Sequence, residues 1–168
     1  GGITPTCVEF MDNITLKSVA RYLDTKLQGS DNGNYLIIQI EGSSEEDLDE
    51  KACVLDEICC NAGAKDLLVA SPDKIWKTRK AFAEAVRAES IIVCKEDVVC
   101  PVDQEPLLLD EILRLAEKYH LTTRIASHAG DGNIHLNILK QPEEDYAEWH
   151  SRVDKNQQEL YTFIYAHG

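Results

Sequence analysis

No apolar run in this chain approaches the ~20 residues that cross a bilayer as a helix, so no membrane span is expected. The N-terminus, Gly1-Gly2-Ile3-Thr4-Pro5, has neither the basic nor the apolar stretch of a secretion signal. Basic residues are outnumbered: 17 Lys and Arg stand against 30 Asp and Glu, a formal charge of −13. That balance repels phosphate backbones and anionic lipid, which argues against nucleic acid or a membrane surface as the primary partner. A small anionic substrate would need a local basic cluster working against the overall field. The six cysteines include no C-x-x-C pair, and Cys59 and Cys60 are neighbours on a predicted helix, where side chains diverge. We read all six as reduced, mostly buried thiols of a cytoplasmic protein. No Gly-rich phosphate loop follows a strand, and no Ser or Cys sits in a nucleophile elbow.

What is present suits one compact domain spanning 1–168, since 168 residues can bury a real core but not two of ordinary size. Strand and helix signals alternate without repeats or long linkers. Cys7–Met11 reads as a strand, and Asp12 or Asn13 caps a helix carrying Val19, Ala20, Leu23 and Leu27. A polar turn over Gly29–Gly33 leads into the strand Tyr35–Ile40. Ser43 and Glu46 form a capping-box pattern before a helix with the stripe Leu48, Ala52, Leu55, Cys59 and Ala62, which Gly63 terminates. Asp66–Ala70 reads as a further strand, and Ser71-Pro72 opens a helix toward Ala88. Ile91–Val93 and Val98–Val99 are short extended pieces. Pro106 begins a helix with Leu108, Ile112, Leu115 and Tyr119 on one face. Arg124–Ser127 and Ile134–Leu139 are strands, and Pro142 starts a last helix through Tyr146, Trp149, Val153 and Leu160.

The link from Ser127 to Ile134 is too short for a crossover, so those strands should pair antiparallel. This order predicts an α+β fold, ferredoxin-like, with a mostly antiparallel sheet and helices mainly on one face. Tyr161–His167 still reads as helix with Gly168 as its C-cap. A chain that stops at a cap with no following strand is expected to be part of a longer protein.

The segment Ser127–Asn137 carries the densest chemistry. His128 and His135 flank Gly130-Asp131-Gly132-Asn133, whose Asp-Gly and Gly-Asn steps favour a reversal that brings the two imidazoles together. Beyond it Ile134, Leu136 and Ile138 alternate with His135 and Asn137, so one strand face is apolar and the other polar. Two neutral imidazoles suit a divalent ion such as zinc, manganese or iron, but a third ligand is missing. The competing reading is a Gly-rich hairpin with two surface histidines. Asp131 reads as a turn former. On the helix from Pro72, Arg79 interrupts the apolar stripe Ile75, Phe82 and Val86. A guanidinium there must find a partner, either a substrate carboxylate or an internal acid, and pattern alone favours the acid. Lys95 reads as a surface lysine, and His120, His150 and His167 lack ligand spacing.

Taken together these residues resemble the C-terminal domain of FAD-linked oxidases of the vanillyl-alcohol-oxidase type, in the glycolate oxidase and D-lactate dehydrogenase branch. The resemblance rests on Val8-Glu9-Phe10-Met11-Asp12, Ile75-Trp76-Lys77-Thr78-Arg79 and Glu96-Asp97-Val98-Val99-Cys100-Pro101. Above all it rests on His128-Ala129-Gly130-Asp131-Gly132-Asn133-Ile134-His135. It implies oxidation of a D-2-hydroxy acid to the 2-oxo acid, with hydride passing to a flavin held mainly by a separate PCMH-type domain of the same polypeptide. The resemblance assigns His128 and His135 to a divalent metal, Arg79 to the substrate carboxylate and Asn137 to the reacting substrate. Asn133 falls to cofactor contact, and Lys95 matches loosely a lysine of dicarboxylate-using relatives. The family's Gly-Glu-His-Gly motif, which supplies a further ligand and a base, does not occur here. These 168 residues alone are therefore expected to hold neither FAD nor metal tightly and to be inactive. The alternative is a self-contained, non-enzymatic metal- or ligand-binding module of ferredoxin-like fold, or a homodimerisation domain.

Overall fold

The structure is a computed structural model and describes residues 3–31 and 33–167. The expected cap at Gly168 and the Asn32 position of the Gly29–Gly33 turn lie outside the described residues. Five strands form one sheet: β1 (Cys7–Met11), β2 (Tyr35–Gln39), β3 (Val93–Val99), β4 (Thr122–His128) and β5 (Asn133–Leu139). Their order is β2-β1-β4-β5-β3, and every neighbouring pair is antiparallel. The fold class is α+β.

Period-two alternation in the strands decides which side each residue faces. Val98, Ile125, Ile134, Leu136 and Ile138 share one side. There they pack against α5 (Glu105–Lys118) and α6 (Tyr146–His167) through Leu108, Ile112, Leu115, Trp149, Val153 and Leu160. The intervening Met11, Ala126 and Leu139 face the other side and meet α1 (Asn13–Tyr22) and α4 (Phe82–Glu89) through Leu16, Val19, Phe82, Ala85 and Val86. The helices thus divide between both faces, where the sequence led us to expect them mainly on one. The physical reason is that the central strands carry apolar residues at both parities, so each side needs its own cover.

Several elements differ from the sequence expectation. Residues 66–70 form no strand; Leu67, Leu68 and Val69 are exposed, Val69 at 92%. A β-prone run without a neighbouring strand has no ladder to join. The helix expected over 72–88 is broken at Ala81, giving α3 (Pro72–Lys80) and α4. The two extended pieces near Ile91 and Val99 are one continuous strand, β3, paired along its length with β5. In α2 (Glu45–Asn61) the cap is Ser44, which accepts from the Asp47 amide, one residue beyond the expected Ser43. The stripe Leu48, Ala52, Leu55 and Cys59 is only half-buried, and no residue of α2 is fully buried. The last helix starts after Asp145, whose carboxylate accepts from the amides of Ala147 and Glu148, and not at Pro142. All six cysteines are free, but only Cys100 is buried, while Cys53 and Cys60 are exposed. The expectation of mostly buried thiols is corrected accordingly. No helix among the described residues is long and apolar enough to cross a membrane.

Candidate functional site

The side of the sheet under α1 and α4 is apolar only in part. Beyond Met11 and Ala126 its residues turn polar, because the same parity that puts Met11 there also puts Glu9 there, and the same parity as Ala126 brings His128. Register extends this face across three strands: Val99, Asn133 and His128 lie in one row, Asp97 and His135 in the next, and Lys95, Asn137 and Arg124 in the third.

The β4–β5 hairpin holds the two histidines. The amides of Asp131 and Gly132 both bond the His128 carbonyl at 3.0 Å, and the Asp131 carboxylate accepts from the Asn133 amide at 3.1 Å. Asp131 is thus a turn former, as its Asp-Gly context implies. The reversal brings the imidazoles of His128 and His135 to a centroid distance of 4.9 Å, edge to face at 85°. The convergence inferred from spacing is present.

Each imidazole is also held from behind. His128 Nδ1 lies 2.7 Å from Glu9 Oε1, and His135 Nδ1 bonds the Asp97 carboxylate. A carboxylate only accepts, so Nδ1 is the donor in both rings, and in a neutral ring this assigns Nε2 as the acceptor. This is the arrangement by which a carboxylate orients a metal-bound histidine. Among the described residues, however, no group of three or more His, Cys, Asp or Glu is arranged to hold a metal ion. The histidines fit two corners of such a site and the chain's described part offers no third.

Arg79 reaches this cluster from α3. Its Nε donates to Glu9 Oε2 at 2.7 Å, with the Arg79 side chain 11% exposed and that of Glu9 6%. Of the two partners considered from the sequence, the internal acid is the one in contact. The guanidinium also lies 5.9 Å from the Phe82 ring centre, and its Nη2 is buried without a hydrogen-bond partner among the described residues. Burial pushes the Glu9 carboxyl upward, but the His128 hydrogen bond and the Arg79 charge outweigh it and hold it below the ordinary carboxylate value of 4.5. Glu9 is therefore an anion with both oxygens engaged.

The remaining expected residues flank this centre. Asn137 is buried at the middle of its row, with exposed Lys95 on one side and Arg124 on the other. Arg124 is committed to Glu89 at 2.6 Å and to Ser18 at 2.6 Å, so it belongs to the packing of α1 and α4. Asn133 Oδ1 is buried and has no hydrogen-bond partner among the described residues. Glu9 and Asp97 were not among the residues singled out from the sequence. Strand parity could have found both: Glu9 shares a face with Met11, and Asp97 shares one with Lys95.

Residues 1–167 match the family model "FAD linked oxidases, C-terminal domain". The chain is 29% identical over 143 residues to a D-lactate dehydrogenase of Anaerostipes hadrus, covering 80% of this chain and 30% of that protein. It is 30% identical over 143 residues to the glycolate oxidase subunit GlcD of Escherichia coli K12, covering 82% and 28%. A D-2-hydroxyglutarate dehydrogenase of Stutzerimonas stutzeri is 29% identical over 122 residues, covering 68% and 26%. The chain thus spans less than a third of the length of these curated relatives. With its site face, its hairpin and this match along nearly its whole length, the chain belongs to the C-terminal domain family of the FAD-linked oxidases.

Proposed function

We propose that this chain is the substrate-binding and capping part of a flavin-dependent dehydrogenase that oxidises a D-2-hydroxy acid, of glycolate or D-lactate type, to the 2-oxo acid. The observation that carries the reading is Nη2 of Arg79, buried and without a hydrogen-bond partner among the described residues, on a guanidinium that shares Glu9 with His128. A buried donor on a cation is costly to leave unpaired, and a substrate carboxylate is the partner of matching charge. Relatives named for D-lactate, glycolate and D-2-hydroxyglutarate share that carboxylate and its neighbouring hydroxyl.

Within this reading the carboxylate takes Arg79 Nη2, and the C2 hydroxyl lies toward His128 and His135. His128 and His135 would hold a divalent ion only with a further donor from outside the described residues, and such an ion would supply Lewis-acid chemistry. Asn137, buried at the centre of the polar face, orients the reacting carbon. The FAD of the neighbouring domain supplies the two-electron acceptor when bound, and Asn133, whose Oδ1 is buried without a partner among the described residues, is the cofactor-contact residue of this reading. Lys95, exposed on the same face, would favour a second carboxylate on a longer substrate. The chain by itself offers only one wall of this site, so turnover requires the whole polypeptide, and its free thiols suit the cytoplasm.

The test uses the whole protein. It should purify with flavin absorbance, and Arg79→Ala should raise KM for 2-hydroxy acids at least about tenfold, the loss of one charge-assisted contact. A colourless protein, or an unchanged KM, removes this function.

A further inference from the structure

Glu9 stands between the two halves of the site. Its Oε2 takes the Nε of Arg79, its Oε1 takes Nδ1 of His128 at 2.7 Å, and the Cys7 thiol donates to the same Oε1 at 3.4 Å. The carboxylate is nearly inaccessible, at 5% exposure for the residue. Three elements meet on it: β1 supplies it, α3 brings the guanidinium and the end of β4 brings the imidazole. A solvent-facing ion pair would leave each partner free to wander. Here, movement of one partner breaks a buried contact to the other.

We infer that Glu9 is a positioning residue that couples the carboxylate anchor Arg79 to the imidazole of His128, trading affinity for geometry. The inference rests on the reading of Arg79 as the substrate's anchor. By occupying the Nε edge of the guanidinium, Glu9 leaves only Nη1 and Nη2 to an incoming carboxylate. By accepting from Nδ1, it orients the His128 ring and, in the neutral ring, selects the tautomer with Nε2 as acceptor. Its charge also neutralises Arg79, and a neutralised guanidinium attracts an anion less than a lone one does.

This arrangement predicts an uncommon kinetic signature. Glu9→Gln keeps the size of the side chain and removes its charge. The amide has one oxygen, so it can accept from Arg79 or from His128 but not from both. Arg79 is left as an uncompensated buried cation, and a bound carboxylate repairs that deficit. Binding should therefore tighten while the reacting geometry loosens. Damage to the fold would do the reverse and raise KM.

The experiment uses the whole protein with Glu9→Gln and Arg79→Ala, measuring kcat and KM on glycolate and D-lactate and binding of pyruvate by calorimetry. Glu9→Gln is expected to bind pyruvate about tenfold more tightly, to lower KM and to lower kcat about 10- to 100-fold, the range for losing a carboxylate behind an active-site histidine. Selective 15N-histidine NMR should show His128 with its proton on Nδ1 in the unsubstituted protein. A Glu9→Gln protein with weaker pyruvate binding, or with kcat within twofold, overturns the coupling, as does a His128 proton on Nε2. If Arg79→Ala leaves KM and pyruvate binding unchanged, the anchor reading itself fails and the coupling falls with it. A failure confined to Glu9→Gln leaves the anchor standing.

Discussion

Gly132 lies against the backbone of Cys100: a Cβ added to Gly132 would sit 2.0 Å from the Cys100 carbonyl oxygen. The contact is fixed from both sides, because the Cys100 amide donates to the Gly132 carbonyl at 3.1 Å and Gly132 has φ of +79°. Left-handed backbone and a backbone neighbour together require glycine here. Gly132→Ala should therefore cost more than about 2 kcal/mol, combining αL strain with a clash that no side-chain rotation relieves. Since the same turn carries both histidines, activity of the whole protein should fall further than stability does. Urea unfolding and turnover, measured on the same preparation, check both. A stability loss below 1 kcal/mol would show that the hairpin can slide away from Cys100.

The second histidine pair tests orientation apart from stability. Asp97 is 71% exposed at its side chain, so its bond to His135 is of the kind that contributes little to folding. Asp97→Asn should leave the unfolding free energy within about 0.5 kcal/mol. If the whole protein holds zinc or manganese through His135, as the proposed function has it, the substitution should nonetheless weaken that binding about 10- to 100-fold, because the carboxylate orients the ring. Elemental analysis after dialysis against graded chelator reads this. Retention equal to the parent protein would show that His135 is oriented without Asp97.

How far the sequence carried depends on the range of each interaction. The strand Cys7–Met11 and the reversal between His128 and His135 are local, set by alternation over five residues and by Asp-Gly turn chemistry, and both were legible. Arg79 was legible as an anomaly, since a cation on an apolar helix stripe must be paired. Its partner was not, because Glu9 is 70 residues away and meets it only once β1 is seated in the sheet. The same holds for Glu9 and His128, separated by 119. Leu67, Leu68 and Val69 misled because a β-prone triplet becomes a strand only where a neighbouring ladder exists. The break at Ala81 carries no proline or glycine, so nothing local in the sequence marks it.

On the proposed function, Lys95 would separate substrates rather than sustain the fold. It is exposed on the polar face, two residues along β3 from Asp97 and level with Asn137. Lys95→Ala should raise KM for 2-hydroxyglutarate about tenfold, as expected for the loss of one charge-assisted contact. It should leave KM for glycolate and D-lactate within twofold, since those have no second carboxylate. Parallel kinetics on the three acids decide the matter. Equal changes on all three would place Lys95 at the common carboxylate, and no change on any would return it to the solvated surface.

Asp12 links β1 to α1, and its titration can be isolated. Its side chain accepts from the Thr15 amide at 2.9 Å, capping the helix that covers Met11 and Ala126. Burial pushes its carboxyl above the ordinary value of 3.8, and the hydrogen bonds from Thr15 only partly offset this. The folded protein therefore holds the Asp12 proton more tightly than the unfolded chain does. The stabilisation from that proton is fully present below pH 3.8 and is lost as pH rises through the raised folded value. Asp12→Asn keeps an acceptor for the cap and removes the buried charge. It should match or exceed the parent's stability at neutral pH, and lose the decline across the acid window. Asp12→Ala removes the cap as well and should cost about 1 kcal/mol at neutral pH. Urea unfolding of the three proteins between pH 3 and 7 measures this, because differences between variants cancel the other carboxyls. A parent protein whose stability relative to Asp12→Asn rises with pH would reverse the sign and show that the cap and Arg124, not burial, dominate at Asp12.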